Sequence, residues 1–247
     1  MSLITILNII IVNVIVILAL SYFWSGWNFK VFKPWLWLEM RKRKQLPSEI
    51  ERAESHTQDK IRFYSLWFAL EQIDTNNVEG SVVFASLEDA EMPVVVRMHS
   101  PERKIAIFDS FANRDVEIVR ENCQGEISRQ VIHIEGVDLE KLKQRIGESE
   151  VTYHVGKPAE TIADDSEKIA LAVIDTVDSE ELSSVMKNSY ARMSEGGMMI
   201  VHDYNHNWDS VRRSVDAFEA SIAENFLWLP DMYGSVIMIK NKKNSQL

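Results

Sequence analysis

The side chains best suited to chemistry sit at the ends of apolar runs. Asp175 closes Ile169–Ile174, and His202-Asp203-Tyr204 closes Met198–Val201. Between the two runs lie a helix-length segment and Gly196-Gly197. Carboxylates and imidazoles are the groups with which proteins move protons and hold cations. Short apolar runs bounded by turn signals read as buried parallel strands. In an open α/β sheet, ligands bind beyond the carboxyl ends of such strands. The pattern therefore predicts two carboxylates and an imidazole side by side at a functional rim. A third acid, Asp109, ends the run that starts at Lys104. It is suited to the ribose hydroxyls of a nucleoside cofactor; the alternative is a helix cap or turn former.

The elements that must position these groups follow from periodicity. Strands are expected at Ser81–Ala85, Lys104–Asp109, Val151–Val155, Lys168–Ile174, Met198–Val201, Asn225–Leu229 and Ser235–Lys240. Helices are expected near Glu88–Met98, Asp138–Ile146, Ser179–Met193 and Trp208–Ala223. A longer helix is expected to start at Pro47-Ser48, with Glu51 at capping-box spacing, and to run through Ile73. Strands alternating with helices imply a mostly parallel sheet. Only Pro230–Gly234 separates the last two strands, too short for a crossover, so they should form an antiparallel hairpin. The expected fold is thus α/β and Rossmann-like: seven strands, five βα units and a terminal hairpin. Residues 112–137 give no clear pattern.

Leu3 to Leu20 is nearly all Ile, Leu and Val, and Tyr22, Phe23, Trp24 and Trp27 follow. The span is long enough to cross a bilayer core of roughly 30 Å. Lys30, Lys33, Arg41, Lys42, Arg43 and Lys44 form a basic collar after it, with no Lys or Arg before it. The positive-inside rule then predicts a single-pass protein with its C-terminal domain cytoplasmic. A cleaved signal peptide is the rival reading, against which stand the missing basic n-region and the length of the run. The organisation expected is an anchor over residues 1–27, a basic aromatic juxtamembrane segment over 28–47 and a folded domain over 48–247. Trp35, Leu36, Trp37 and Leu38 would lie in the membrane interface or cap the domain. Asn8 and Asn13 are either a helix–helix contact in the membrane or two tolerated polar residues.

Charge weighs against one class of partner. The first 44 residues carry +5 of a total of −10, so the remainder carries −15. So acidic a body argues against nucleic acid. The lone Cys123 permits no internal disulfide and has no visible base partner for a nucleophilic role. His206 and Trp208 read as loop and packing residues.

Several segments in order resemble the macrocin O-methyltransferase family: Arg62-Phe63-Tyr64 through Gly80, Phe108-Asp109-Ser110-Phe111, Val155-Gly156 with Glu160-Thr161-Ile162, Ile174-Asp175, Gly196-Gly197 through Tyr204, and Arg212 to Phe218. The resemblance covers roughly residues 61–240. It implies a class I methyltransferase fold, S-adenosylmethionine as methyl donor, and a divalent ion, usually magnesium, that lowers the pKa of a sugar hydroxyl. By position it implies donor contacts at Ser86, Asp109 and Ser110, metal ligation by Asp175, His202 and Asp203, and Asp175 as ligand or base. The chain departs from the family pattern where Phe84, Ser86 and Ala90 replace an acid and two glycines. It departs again where Val177 and His202 replace acids. The implied function is membrane-anchored methyl transfer to a sugar or lipid-linked hydroxyl. The alternative is an inactive methyltransferase-fold scaffold serving a protein partner.

Overall fold

The computed structural model describes residues 2–24, 33–121, 127–205 and 209–241. Trp27, Lys30, Cys123, His206 and Trp208 lie outside these. Two units emerge, residues 1–32 and 33–247. In the first, helix α1 (Leu3–Trp24) holds a stretch, Leu3–Ser21, of mean hydropathy 3.0, long and apolar enough to cross a membrane. A signal sequence near an N-terminus has the same character. The Asn13 amide donates to Ile9 O at 2.8 Å, so this polar group is satisfied within its own helix.

The second unit begins with three helices, α2 (Trp35–Lys42), α3 (Ser48–His56) and α4 (Lys60–Thr75). The single helix expected from Ser48 to Ile73 is broken at Thr57–Asp59. Asp59 caps α4, accepting from the Ile61 and Arg62 N–H groups, and a capping aspartate has non-helical backbone. The expected capping box is also absent. Pro47 occupies the N-cap position, and the Ser48 hydroxyl donates to Glu49 instead. Trp37 of α2 is fully buried, edge-on to Phe63, Tyr64 and Trp67. The segment read as juxtamembrane is therefore integral to this unit from Lys33 onward.

The remaining elements alternate as expected. They are β1 (Ser81–Ala85), α5 (Glu91–His99), β2 (Ile105–Asp109), β3 (Arg114–Glu121), β4 (Ile127–Ile134), α6 (Leu139–Ile146), β5 (Val151–Val155), α7 (Pro158–Thr161), β6 (Ile169–Ile174), α8 (Ser179–Arg192), β7 (Met193–Val201), α9 (Asp209–Glu219), β8 (Leu227–Trp228) and β9 (Val236–Ile239). Seven strands form one sheet in the order β5-β2-β1-β6-β7-β9-β8. β5, β2, β1, β6 and β7 are parallel, and β9 runs antiparallel to both β7 and β8. The strand order reverses between β1 and β6, the topological switch point where such sheets bind ligands. β3 and β4, in the stretch without a clear pattern, form a separate antiparallel hairpin.

Alternation along each strand builds two cores. Val82, Phe84, Ile105, Ile107, Leu171, Val173, Met198 and Ile200 pack on one face with α4 and α5. Val83, Ala85, Ala106, Phe108, Ala172, Ile174, Met199 and Val201 pack on the other with α8 and α9. Both faces are apolar because helices cover both, which is why these strands read as unbroken apolar runs.

Candidate functional site

The parallel ladder continues one step beyond the strands and sets the rim in register. The Ser86 N–H donates to Phe108 O, the Asp175 N–H to Ala85 O and the His202 N–H to Ile174 O, each at 2.9 Å. Ser86, Asp175 and His202 therefore stand on adjacent strand ends across the switch point. All three are buried, and they line one cavity of about 420 Å³ together with Arg62, Glu88 and Tyr233.

Ser86 has φ +58°, the left-handed region that glycine enters without a Cβ penalty. The backbone shape expected of a glycine is thus kept with a side chain in place. Its Oγ is buried and without a hydrogen-bond partner. Asp109 is buried beneath the rim, and its two oxygens accept from the Leu87 and Phe111 N–H groups. It ties the loop after β1 to the loop after β2. Ser110 lines a different cavity, of about 760 Å³, with Lys157, Thr176 and Val177. The three residues named for donor contact are therefore split: one on each cavity and one holding the two loops together.

The carboxylate oxygens of Glu88, Asp175 and Asp203 lie within 4.8 Å of one another. His202 instead places Nδ1 3.4 Å from Asp175 Oδ1. Asp203, at φ +61°, is held by the Arg62 guanidinium. Arg62 also donates through Nε to Asp231 at 3.1 Å, with the Tyr233 ring 5.2 Å away. Asp59 places it there: Oδ1 caps the first turn of α4, which contains Arg62, and Oδ2 accepts the Met232 N–H at 2.7 Å.

Charges crowd this site. Glu88 is exposed at the rim, yet the Asp175 carboxylate first, then partial desolvation of its carboxyl and Asp203, push it up to about 8. Burial opposes ionisation of Asp175, but His202 and Arg62 outweigh it and hold its carboxyl below the usual range. For Asp203 burial wins and its carboxyl is raised despite Arg62. Burial disfavours the Arg62 charge, yet Asp175, Asp203 and Asp231 raise its pKa well above the ordinary arginine value. Arg62 and Glu88 were not among the site residues expected from sequence. The Asp-x-x-Arg pattern at residues 59–62 was the available signal for Arg62, since an aspartate cap puts the arginine in the first turn.

The donor set suits a hard divalent cation: three carboxylates converge, and their mutual repulsion is what a cation would relieve. Arg62 competes for Asp203 and supplies part of that positive charge itself. The buried, unpartnered Ser86 hydroxyl suits a polar ligand in the first cavity.

Comparison with known proteins bears on what this rim serves. Residues 57–226 match the family model described as macrocin-O-methyltransferase (TylF). Comparison with curated protein sequences gives no match. Among solved structures, the O-methyltransferase NovP aligns with TM-score 0.59 at 18% identity, over 74% of this chain and 81% of its own. The calicheamicin methyltransferase CalS11 aligns with TM-score 0.56 at 16% identity, over 71% and 77%. A putative caffeoyl-CoA O-methyltransferase from Staphylococcus aureus aligns with TM-score 0.56 at 14% identity, over 83% and 98%. At these identities the likeness concerns the fold.

Proposed function

Because the chain belongs to the macrocin O-methyltransferase family, we propose that its rim cavity carries out S-adenosylmethionine-dependent methyl transfer to a hydroxyl group. The carrying observation is the convergence of Ser86, Glu88, Asp175 and His202 on one cavity at the switch point. When bound, the donor supplies an electrophilic methyl on a sulfonium. The Asp175 carboxylate, held ionised, favours that positive charge. Ser86 Oγ is the hydroxyl available to fix the donor, and Asp109 shapes both loops beside it.

Glu88, Asp175 and Asp203 would hold a divalent ion, magnesium by their hardness, which would lower the pKa of the acceptor hydroxyl. His202 is the group we assign to receive the acceptor proton. A proton on Nδ1, which lies 3.4 Å from Asp175 Oδ1 without a hydrogen bond between them, would leave the lone pair on Nε2 of a residue lining the cavity. Asp175, first expected as a base, then orients the imidazole. We further propose that α1 anchors the protein, with the domain cytoplasmic, and that the acceptor is a sugar or lipid-linked hydroxyl near the leaflet. Tethering would raise its effective concentration there.

A second reading is a scaffold without donor binding. It is favoured by Val177, packed in the apolar core at the position where the family pattern has an acid, and by the Arg62–Asp203 ion pair. Calorimetric titration of the full chain in nanodiscs with S-adenosylmethionine, with and without magnesium, separates the two. Saturable heat that weakens in Ser86→Ala supports methyl transfer. No heat and no thermal shift at millimolar donor would refute it.

A further inference from the structure

We propose that α2 is a membrane-docking foot that seats the folded domain on an anionic lipid surface. Trp37 and Met40 turn one side of α2 into the core. Trp35, Leu38 and Lys42 recur at helical spacing on the other side. Trp35 is 72% exposed and Leu38 46% exposed, beside exposed Leu36. A tryptophan and leucines on a short helix pinned by a buried tryptophan form a rigid apolar ridge.

The charge pattern selects the partner. Arg43 is answered by Glu39 and Arg41 by Glu51. Among the described residues, Lys42 and Lys44 have no carboxylate partner, and both are exposed. Residues beyond 44 carry −15 and would be repelled by an anionic leaflet. The α2 face combines exposed apolar side chains with cations that have no carboxylate partner, the pairing that an anionic surface recruits. The lysine stems can lie along the apolar layer while their ammonium groups reach the phosphates. In sequence, residues 22–34 separate the end of the candidate span from Trp35. The geometry thus fixes the domain's orientation through a second contact, distinct from the span and independent of methyl transfer.

The test uses the full chain in nanodiscs of phosphatidylcholine, with and without phosphatidylglycerol. In a Cys123→Ser background, a nitroxide is placed at Leu38→Cys and, as a control, at the exposed Glu102→Cys. The expected result in anionic discs is a label at position 38 that collides with oxygen more than with a water-soluble nickel chelate, and the reverse at 102. Replacing Lys42→Gln and Lys44→Gln should lower the docked-to-undocked ratio about fivefold per charge. A label at 38 as open to the chelate as the one at 102 would overturn the proposal. So would protection that persists in detergent and grows with protein concentration, since that assigns the face to a second copy of the chain. Neither readout involves donor binding, so failure here is separable from failure of the methyl-transfer reading.

Discussion

Replacing Arg62 by methionine tests how the site is held together. The guanidinium is about one-tenth exposed, as is Asp203, and the Asp231 side chain is fully buried. Asp231 keeps its bonds from the Ser235 N–H and hydroxyl, so the loss falls on Asp203, its direct partner, and on Asp175, which Arg62 also holds below the usual range. Leaving one buried charge unpaired costs about 3 kcal/mol, the low end of the range for such sites, or about 6–12 °C in Tm for a domain of this size. The sign with pH follows from linkage. Without Arg62 the Asp203 carboxyl, already raised by burial, rises further. A raised carboxylate leaves the folded state favoured below its unfolded pKa and loses that advantage as pH climbs through the folded value. The deficit should therefore be full at pH 7 and shrink toward pH 4. Urea unfolding of the full chain in detergent at both pH values is the assay. Equal stability of variant and parent at pH 7 would refute the ion-pair account. A deficit of the same size at both pH values would mean lost packing instead. Magnesium should also stabilise the variant more than the parent, because Asp203 is freed.

Three further outcomes follow from particular residues. Ser86→Gly relieves a left-handed backbone and a buried orphan hydroxyl, and should raise unfolding free energy by about 1 kcal/mol while weakening donor binding by calorimetry. Trp37→Ala should cost about 3–5 kcal/mol by chemical denaturation, since it empties the centre of an aromatic cluster. Glu88→Gln should leave stability nearly unchanged near pH 4. It should stabilise the chain as pH rises through about 8, because the raised Glu88 carboxyl must ionise beside Asp175. A thermal-melt series across pH would show the gap between variant and parent opening over that interval.

Much of the rim was legible in the sequence because strand ends are marked locally. An apolar run that stops at a polar residue marks a strand end whether or not its neighbours are known, and Asp175 and His202 were found that way. Fold class followed for the same reason: two covered faces make continuous apolar strands, and alternation with helices makes them parallel. Less was legible where a local pattern admits two continuations. The run from Ser48 to Ile73 has helical spacing on both sides of Asp59, so its break depended on what the cap gained by also holding Met232. The β3–β4 hairpin pairs its two strands with each other and leaves much of β4 exposed, so apolar periodicity did not mark it.

The sequence by itself determined the order of elements, the position of the rim acids and the apolar N-terminal helix, because each is written in periodicity or in a run of one residue class. Only the tertiary structure decided the company those acids keep. Arg62 reaches Asp203 across 141 positions of chain, Glu88 joins the carboxylates from another strand end, and Asp109 spends both oxygens on backbone. Such partners are chosen by the sheet's register and crossover geometry. No spacing along the chain encodes a distance between strands that meet only after folding.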